Sequence, residues 1–139
     1  MSAETIALTL DGPAISVAVE EAQTRLEAQG VDSRAAMHVA LTLDELLTNA
    51  LTHGGGQGRP ADIRLTALDD RVEVEVVDGA APFDPRSAPA PKLDTALAER
   101  AIGGLGVHLV MKLSRDLSYG WTGERNRTHY WIARETRHD

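Results

Sequence analysis

The feature that most constrains this chain is a stripe of apolar residues with helical spacing that ends at a cluster of glycines. The stripe consists of Ala36, Val39, Ala40, Leu43, Leu46, Leu47 and Ala50. Asp32-Ser33 supplies an N-cap in front of it, so we predict a helix from there to about Thr52. The run from Gly54 to Gly58 then has to end this helix, because glycine is a poor helix former.

Periodic patterns predict two further helices and five strands around this stripe. They are a strand at Thr5–Leu10, a helix at Pro13–Gln29, a hairpin of Ile63–Leu68 with Val72–Val76, a helix at Val107–Leu113, and strands at Asp116–Trp121 and Arg127–Ala133. Between the hairpin and the last helix, residues 79–103 carry four of the six prolines and predict a long loop.

The order of these elements selects the fold class. The predicted order is strand, helix, helix, strand, strand, loop, helix, strand, strand. This order lacks the alternation of strand and helix that builds a doubly wound parallel sheet. The order fits a two-layer α/β sandwich, in which a mixed, mostly antiparallel sheet is covered on one face by three helices. A chain of 139 residues can bury one apolar core, so we expect a single domain over residues 1–139.

Composition excludes several classes of function. The chain has no cysteine, which rules out a thiol nucleophile, a cysteine-ligated zinc and a disulfide framework. Its 21 acidic and 14 basic residues give a net charge of -7, the wrong sign for direct binding to nucleic acid. Since an acidic residue comes early and no apolar run approaches about 18 residues, we expect a cytoplasmic protein that does not enter a membrane.

Polar side chains fall together on one side of the predicted second helix. Counted at about 100° per residue from Leu43, Glu45 and Asn49 lie opposite the apolar stripe and one turn apart. His38 and Thr42 fall on the same side. Such a column is either a solvated polar surface or a carboxylate and an amide that act together on a ligand.

Two later positions could complete a site. Asp78 ends a predicted strand, where a carboxylate can enter a pocket, although an Asx turn would explain it equally well. Gly104 and Gly106 precede a predicted helix, where free N–H groups can bind phosphate; plain turns use such glycines too. Leu109 replaces the third glycine of a dinucleotide-binding fingerprint, and the chain has neither a Walker A lysine nor a compact histidine metal motif.

Three segments, in this order, resemble the sequence boxes of the GHKL (Bergerat-fold) ATP-binding family. Residues 45–54, Glu-Leu-Leu-Thr-Asn-Ala-Leu-Thr-His-Gly, resemble its N box, and residues 76–85, Val-Val-Asp-Gly-Ala-Ala-Pro-Phe-Asp-Pro, its G1 box. Residues 103–110, Gly-Gly-Leu-Gly-Val-His-Leu-Val, resemble its G2 box. Essentially the whole chain is similar to one branch of the family, the stand-alone anti-sigma factor serine kinases of bacterial partner-switching systems (RsbW and SpoIIAB type).

The resemblance implies a role for each matching residue. Asn49 would coordinate Mg²⁺, Glu45 would be the general base, and Asp78 would accept a hydrogen bond from the amino group of adenine. Thr128 would support the adenine pocket. These roles suit the chemistry, because an amide oxygen can join phosphate oxygens around a hard cation and a nearby carboxylate can accept a proton. ATP should be preferred to GTP, which lacks an amino group at that position.

The G1 and G2 boxes are matched unequally. Gly104 and Gly106 stand at the positions of the loop that lies on the phosphate side of the nucleotide. The wider family continues its G1 box as Asp-x-Gly-x-Gly, whereas here Ala80 and Pro82 take the places of the two glycines after Asp78. The Pro-Phe-Asp-Pro ending is nevertheless similar to the anti-sigma kinase branch.

The stretch from Asp84 to Gly103 is short for the nucleotide lid of this family. Three basic residues within it, Arg86, Lys92 and Arg100, are candidates to approach the phosphates. Charged residues in an exposed loop are as readily explained as solvated side chains, so both interpretations stay open.

The implied function is transfer of the γ-phosphoryl group of ATP to a serine or threonine of a STAS-type anti-anti-sigma protein, alternating with sequestration of a sigma factor or equivalent regulator. A nucleotide-gated binding module without kinase activity is the alternative. A histidine-kinase catalytic domain fits less well, because the first helix holds no phosphoacceptor histidine. The branch often dimerises through its first strand and helix, and Ile6, Leu8 and Leu10 would suit a homodimer paired at that edge.

Overall fold

The computed structural model describes residues 3–87 and 106–136 of the chain, and these contain three helices and five strands. The elements are β1 (Glu4–Thr9), α1 (Gly12–Ala28), α2 (Ser33–Thr52), β2 (Pro60–Ala67), β3 (Arg71–Asp78), α3 (Gly106–Leu113), β4 (Arg115–Trp121) and β5 (Asn126–Ala133). A 3₁₀ turn covers Pro85–Ser87. Each predicted helix and strand is confirmed, with ends that differ by three residues or fewer. None of the described helices has both the length and the apolar character that crossing a membrane requires.

Both long helices begin at an aspartate that caps the first turn. The Asp11 side chain accepts a hydrogen bond from the backbone N–H of Ala14 at 2.7 Å, and Asp32 accepts one from Ala35 at 3.1 Å. Each cap satisfies a backbone donor that the first turn of a helix leaves free. The second cap fixes where α2 starts, and therefore where its last turn meets the sheet.

The strands form one sheet in the order β1-β2-β3-β5-β4. All four pairings are antiparallel, so the predicted two-layer sandwich is confirmed, with an antiparallel rather than mixed sheet among the described strands. α2 lies centrally in the helical layer and contacts α1, α3, β3 and β5. The sheet buries alternate residues beneath the helices, namely Ile63, Leu65, Val72, Val74, Val76, Tyr130 and Ile132.

The opposite face of the sheet carries charged side chains that pair across strands. Arg64 of β2 lies 3.2 Å from Glu75 of β3, and Nε2 of His129 on β5 lies 2.9 Å from Glu73. Exposed ion pairs of this kind stabilise a fold by less than about 1 kcal/mol each. The apolar layer under the helices therefore supplies most of the stability.

α2 is buried over a wider arc than the sequence predicted. Thr42 and Asn49, expected opposite the apolar stripe, are buried because the sheet, α1 and α3 all pack around this helix. The Tyr130 hydroxyl donates to Thr42 Oγ1 at 2.8 Å, and the Thr42 hydroxyl donates to the Val39 carbonyl at 2.9 Å. Of the two interpretations of the polar column, a solvated surface therefore does not apply to Thr42 and Asn49, whereas Glu45 is half-buried.

Candidate functional site

A pocket lies at the end of the sheet where β3 stops and β5 begins, beneath the last turn of α2. Asp78 and Asn126 are register partners at this end, and Asn49 reaches the pocket from α2. The walls are apolar and come from Leu46, Ala50, Val76, Phe83 and Pro85. Four polar residues, Asn49, Asp78, Asn126 and Thr128, complete the lining. Apolar walls with a few convergent polar groups are typical of small-molecule sites.

Asp78 is a buried carboxylate at the base of this pocket, with 7% of its surface exposed. Its Oδ1 accepts hydrogen bonds from the Ala80 N–H at 3.0 Å and from Nδ2 of Asn126 at 2.9 Å. Burial raises the pKa of Asp78, and the two hydrogen bonds partly offset this effect. The bond to Ala80 is the Asx turn that the sequence left open, so Asp78 both forms the turn and lines the pocket.

Asn49 carries a buried amide without a partner. It is 8% exposed, and in the part of the chain that the structure describes its Nδ2 donates no hydrogen bond. An unsatisfied buried polar group of this kind costs about 1–3 kcal/mol. Its position in the pocket lining indicates that a ligand completes it.

Glu45 lies one turn before Asn49 on α2, outside the pocket lining. Its side chain is half-buried. Burial first, and then the negative charge of Asp44, raise the pKa of Glu45. A raised pKa makes a carboxylate a better proton acceptor at neutral pH, which is the property of a general base.

Asn126 is the site residue that the sequence analysis missed. Its Nδ2 donates to Asp78 Oδ1 at 2.9 Å and to the carbonyls of Ala80 and Ala81 at 3.2 and 2.9 Å. Its Oδ1 accepts the Phe83 N–H at 3.0 Å. No local signal marks this residue, because asparagine is common beside turns and its partner Asp78 lies 48 residues away in the sequence.

The loop from Gly79 to Pro85 folds back over the pocket. The Phe83 ring stacks on His53 at the end of α2, with ring centroids 5.7 Å apart and planes at 20°. The Phe83 N–H also donates to the Tyr119 hydroxyl at 3.2 Å. The space left in the pocket is about 20 Å³, room for about one water molecule.

Glycines at the end of α2 let this loop dock against the helix. The Ala81 N–H donates to the Gly54 carbonyl at 2.9 Å. A Cβ at Gly54 would lie 2.8 Å from the Ala50 carbonyl oxygen and 2.9 Å from the Ala80 Cβ. A Cβ at Gly56 would lie 2.7 Å from the same carbonyl oxygen. The glycine run thus permits a close backbone approach in addition to ending the helix.

The other residues predicted for the nucleotide lie in different places. Thr128 is buried on β5 and lines the pocket, as the sequence indicated. Gly106 begins α3, which packs against α2. Gly104 lies outside the described residues. The pocket therefore brings together Asn49, Asp78 and Thr128. Gly106 is not among the described residues that line it.

Among the three basic residues predicted for the lid, Arg86 lies within the described part of the chain. Its guanidinium binds both carboxylate oxygens of Asp84, and the Nη2 to Oδ2 distance is 2.8 Å. This pairing raises the pKa of Arg86 and lowers the pKa of Asp84. Lys92 and Arg100 lie outside the described residues.

A sandwich with a buried aspartate at the end of β3, below an asparagine in the last turn of α2, defines an ATP-binding domain of the GHKL type. The model of the histidine kinase-like ATPase domain, HATPase_c_2, matches residues 8–129. The chain belongs to this family. An ATPase domain implies that the chain binds ATP.

Comparison with individual proteins finds similarity to a curated relative and to a solved structure. The chain is 36% identical over 89 residues to serine/threonine-protein kinase BtrW of Bordetella bronchiseptica, a match that covers 60% of this chain and 63% of the relative. The mycobacterial sensor histidine kinase MprB superposes with a TM-score of 0.48 at 12% identity, over 98% of this chain and 100% of that one.

Proposed function

We propose that this chain is a protein kinase that transfers the γ-phosphoryl group of ATP, with Mg²⁺, to a serine or threonine of a STAS-type anti-anti-sigma protein, and alternately sequesters a sigma factor or equivalent regulator. The observation that carries the proposal is the convergence of Asp78 and Asn49 in one pocket, with Glu45 one turn away. The likeness to BtrW, which is named a serine/threonine-protein kinase, supports a hydroxyl acceptor.

Asp78 recognises the base. Its carboxylate accepts a hydrogen bond from the exocyclic amine of adenine, and Thr128, buried beside it, supports the ring. Guanine carries a carbonyl oxygen at the equivalent position, and two acceptors facing each other in an apolar pocket are left unpaired. The site therefore prefers ATP to GTP.

Asn49 fits the requirements of a magnesium-bound nucleotide. The described residues contain no cluster of three or more histidine, aspartate or glutamate side chains that could hold a metal ion. Mg²⁺ is commonly held by one or two protein oxygens together with water and phosphate oxygens, and the Asn49 amide offers such an oxygen. Its unpaired Nδ2 is a hydrogen-bond donor and is left for an acceptor on the ligand. When bound, the cation neutralises charge on the phosphates.

Glu45 handles the proton of the acceptor. As the serine or threonine hydroxyl attacks the γ-phosphorus, the new P–O bond forms, the bond to the β-γ bridging oxygen breaks, and ADP leaves. Glu45 accepts the hydroxyl proton, and its raised pKa favours this transfer. Gly104 and Gly106 supply backbone N–H groups to the transferring phosphoryl group.

A phosphotransfer assay with the STAS protein tests the proposal, with Glu45→Gln as the variant. We expect Glu45→Gln to lower the transfer rate by at least about 100-fold and leave ATP affinity within about twofold. Glu20→Gln, an exposed carboxylate on α1, is the matched control and should transfer at the unsubstituted rate. An equal loss of binding and transfer in Glu45→Gln would contradict the assignment of the base.

The acceptor is controlled separately, by replacing its phosphorylated serine or threonine with alanine. If ATP binds tightly and the STAS protein is bound but never phosphorylated, the proposed kinase is wrong and the chain is a nucleotide-gated binding module. That outcome separates the two functions without any assumption about the lid.

We also propose that the chain forms a homodimer at β1. This strand is at one edge of the sheet. Ile6 and Leu10 are buried in the core of their own chain, so pairing would use the β1 backbone together with the half-buried Leu8. Sedimentation equilibrium should show a dimer, and a monomer at high concentration would remove the proposal.

A further inference from the structure

The side chain of Asn126 connects the base-recognising carboxylate with the loop that covers the pocket. It is 4% exposed and begins β5. Its Nδ2 donates to Asp78 Oδ1 at 2.9 Å, while its Oδ1 accepts the Phe83 N–H at 3.0 Å. The amide therefore has its donor on the carboxylate and its acceptor on the covering loop, so rotation of the amide would break both contacts.

These contacts occupy one of the two carboxylate oxygens of Asp78. Oδ1 accepts from Asn126 and from the Ala80 N–H, whereas Oδ2 has no donor among the described residues. A carboxylate fixed at one oxygen presents the other in a defined direction. The free oxygen is the one that can accept a hydrogen bond from a ligand in the pocket.

We infer that Asn126 is a positioning residue that determines base specificity, because it directs the free oxygen of Asp78 toward the exocyclic amine of a purine. The inference rests on the proposed nucleotide function and adds a residue to it. Asn126 acts through Asp78, to which it is hydrogen-bonded.

The chemistry of the position favours an amide. An alanine would remove the donor from Oδ1, and the hydrogen bond from Asn126 is one of the interactions that lower the pKa of Asp78 against its burial. An aspartate would keep the shape but place a second carboxylate beside the first, where like charges repel. In both cases Asp78 Oδ1 loses the donor that holds it, so the direction of the free oxygen is no longer fixed.

The test compares the affinities of ATP and purine riboside triphosphate, which lacks the exocyclic amine, by calorimetry. We expect the unsubstituted protein to prefer ATP by about 10-fold or more. Asn126→Ala and the isosteric Asn126→Asp should reduce this preference to within about twofold. Tyr130→Phe, on the same strand, loses a buried hydrogen bond of its own to Thr42 and should keep the full preference.

The ratio of the two affinities separates a positioning role from a structural one. If the Asn126 variants bind both nucleotides more weakly but keep the ratio, the inference is overturned. If neither variant shows a cooperative thermal transition, Asn126 is required for folding and the positioning role is likewise overturned. If the unsubstituted protein binds neither nucleotide, the proposed nucleotide function fails, and the inference fails with it.

Discussion

Strand β5 begins at one buried polar residue and is followed directly by another, and the two have different surroundings. Asn126 begins the strand at the pocket, and Arg134 comes directly after its last residue at the other end of the sheet. Each of the three guanidinium nitrogens of Arg134 donates to a backbone carbonyl: to Gly30 at 2.9 Å, and to Leu68 and Glu135 at 3.2 Å. Each guanidinium nitrogen of Arg134 therefore has a hydrogen-bond partner within the protein.

At the pocket end of the sheet, the buried polar groups are less completely paired. There, Nδ2 of Asn49 lacks a partner, and burial raises the pKa of Asp78. Both features weaken the free protein and are relieved when a ligand supplies an acceptor for Nδ2 of Asn49 and a donor for the Asp78 carboxylate. A buried polar residue such as Arg134 therefore stabilises the fold, whereas Asn49 and Asp78 at the opposite end of the sheet leave groups that a ligand can pair with. Stability and affinity should therefore separate when the two ends are altered.

The largest effect on stability is expected from Arg134→Ala. Removing the guanidinium leaves three carbonyls without their donor, so the free energy of unfolding should fall by about 3 kcal/mol. ATP affinity of the folded protein should stay within about twofold. Urea unfolding measures the first quantity and calorimetry the second.

The control for this variant is Arg127→Ala, on β5, with a side chain that is 56% exposed and paired with Glu75 at 3.7 Å. Its free energy of unfolding should change by less than about 1 kcal/mol. Equal losses in the two arginine variants would show that the Arg134 contacts are no more important than a surface ion pair.

Asp78→Asn should have opposite effects on affinity and stability. ATP affinity should fall by about 10- to 100-fold, because a charged acceptor is lost. The free energy of unfolding of the ligand-free protein should rise by about 0.5–1 kcal/mol, because an ionised buried carboxylate is replaced by a neutral amide of the same shape.

The pH dependence gives an independent check on this carboxylate. The folded-state pKa of Asp78 is raised, so the folded protein holds a proton that the unfolded chain has lost, and stability falls as pH rises from the ordinary value of 3.8 through the raised pKa. Asp78→Asn should lack this contribution. If the unsubstituted protein and Asp78→Asn give superimposable curves of unfolding free energy against pH, the raised pKa of Asp78 is contradicted.

The smallest effect is expected from Asp44→Asn. The transfer rate should rise with pH as Glu45 loses its proton, and removing the negative charge of Asp44 should move this rise toward lower pH. The shift should be small, because burial of Glu45, the larger cause, remains. A rate profile against pH measures it, with Asp69→Asn in the exposed β2–β3 turn as the control. A shift toward higher pH would contradict the assignment.

The sequence predicted those parts of the molecule that depend on neighbouring residues. Alternation in the hairpin and the cap at Asp32 are local patterns, and they located the elements closely. The resemblance to a family also indicated Asn49, Asp78 and Thr128, which the fold brings to one pocket. Their individual roles stay predictions.

The residues that the sequence did not reveal depend on partners far along the chain. Arg134 contacts carbonyls 104 and 66 residues away, and Asn126 contacts a carboxylate 48 residues away. Their importance follows from the register of β3 against β5, which no local pattern specifies. The burial of Thr42 was missed for a related reason, since it depends on three elements that surround α2.

The glycines at the end of α2 limit how this sequence can diverge. At Gly54 and Gly56 any side chain would meet the backbone carbonyl of Ala50, which cannot rotate away. Gly55 between them has open space but a φ of 58°, a conformation that asparagine tolerates and branched residues do not. Over many generations, positions 54 and 56 should stay glycine, whereas position 55 can exchange with asparagine. Adjacent glycines are thus selected for two different reasons: lack of space at 54 and 56, and backbone conformation at 55.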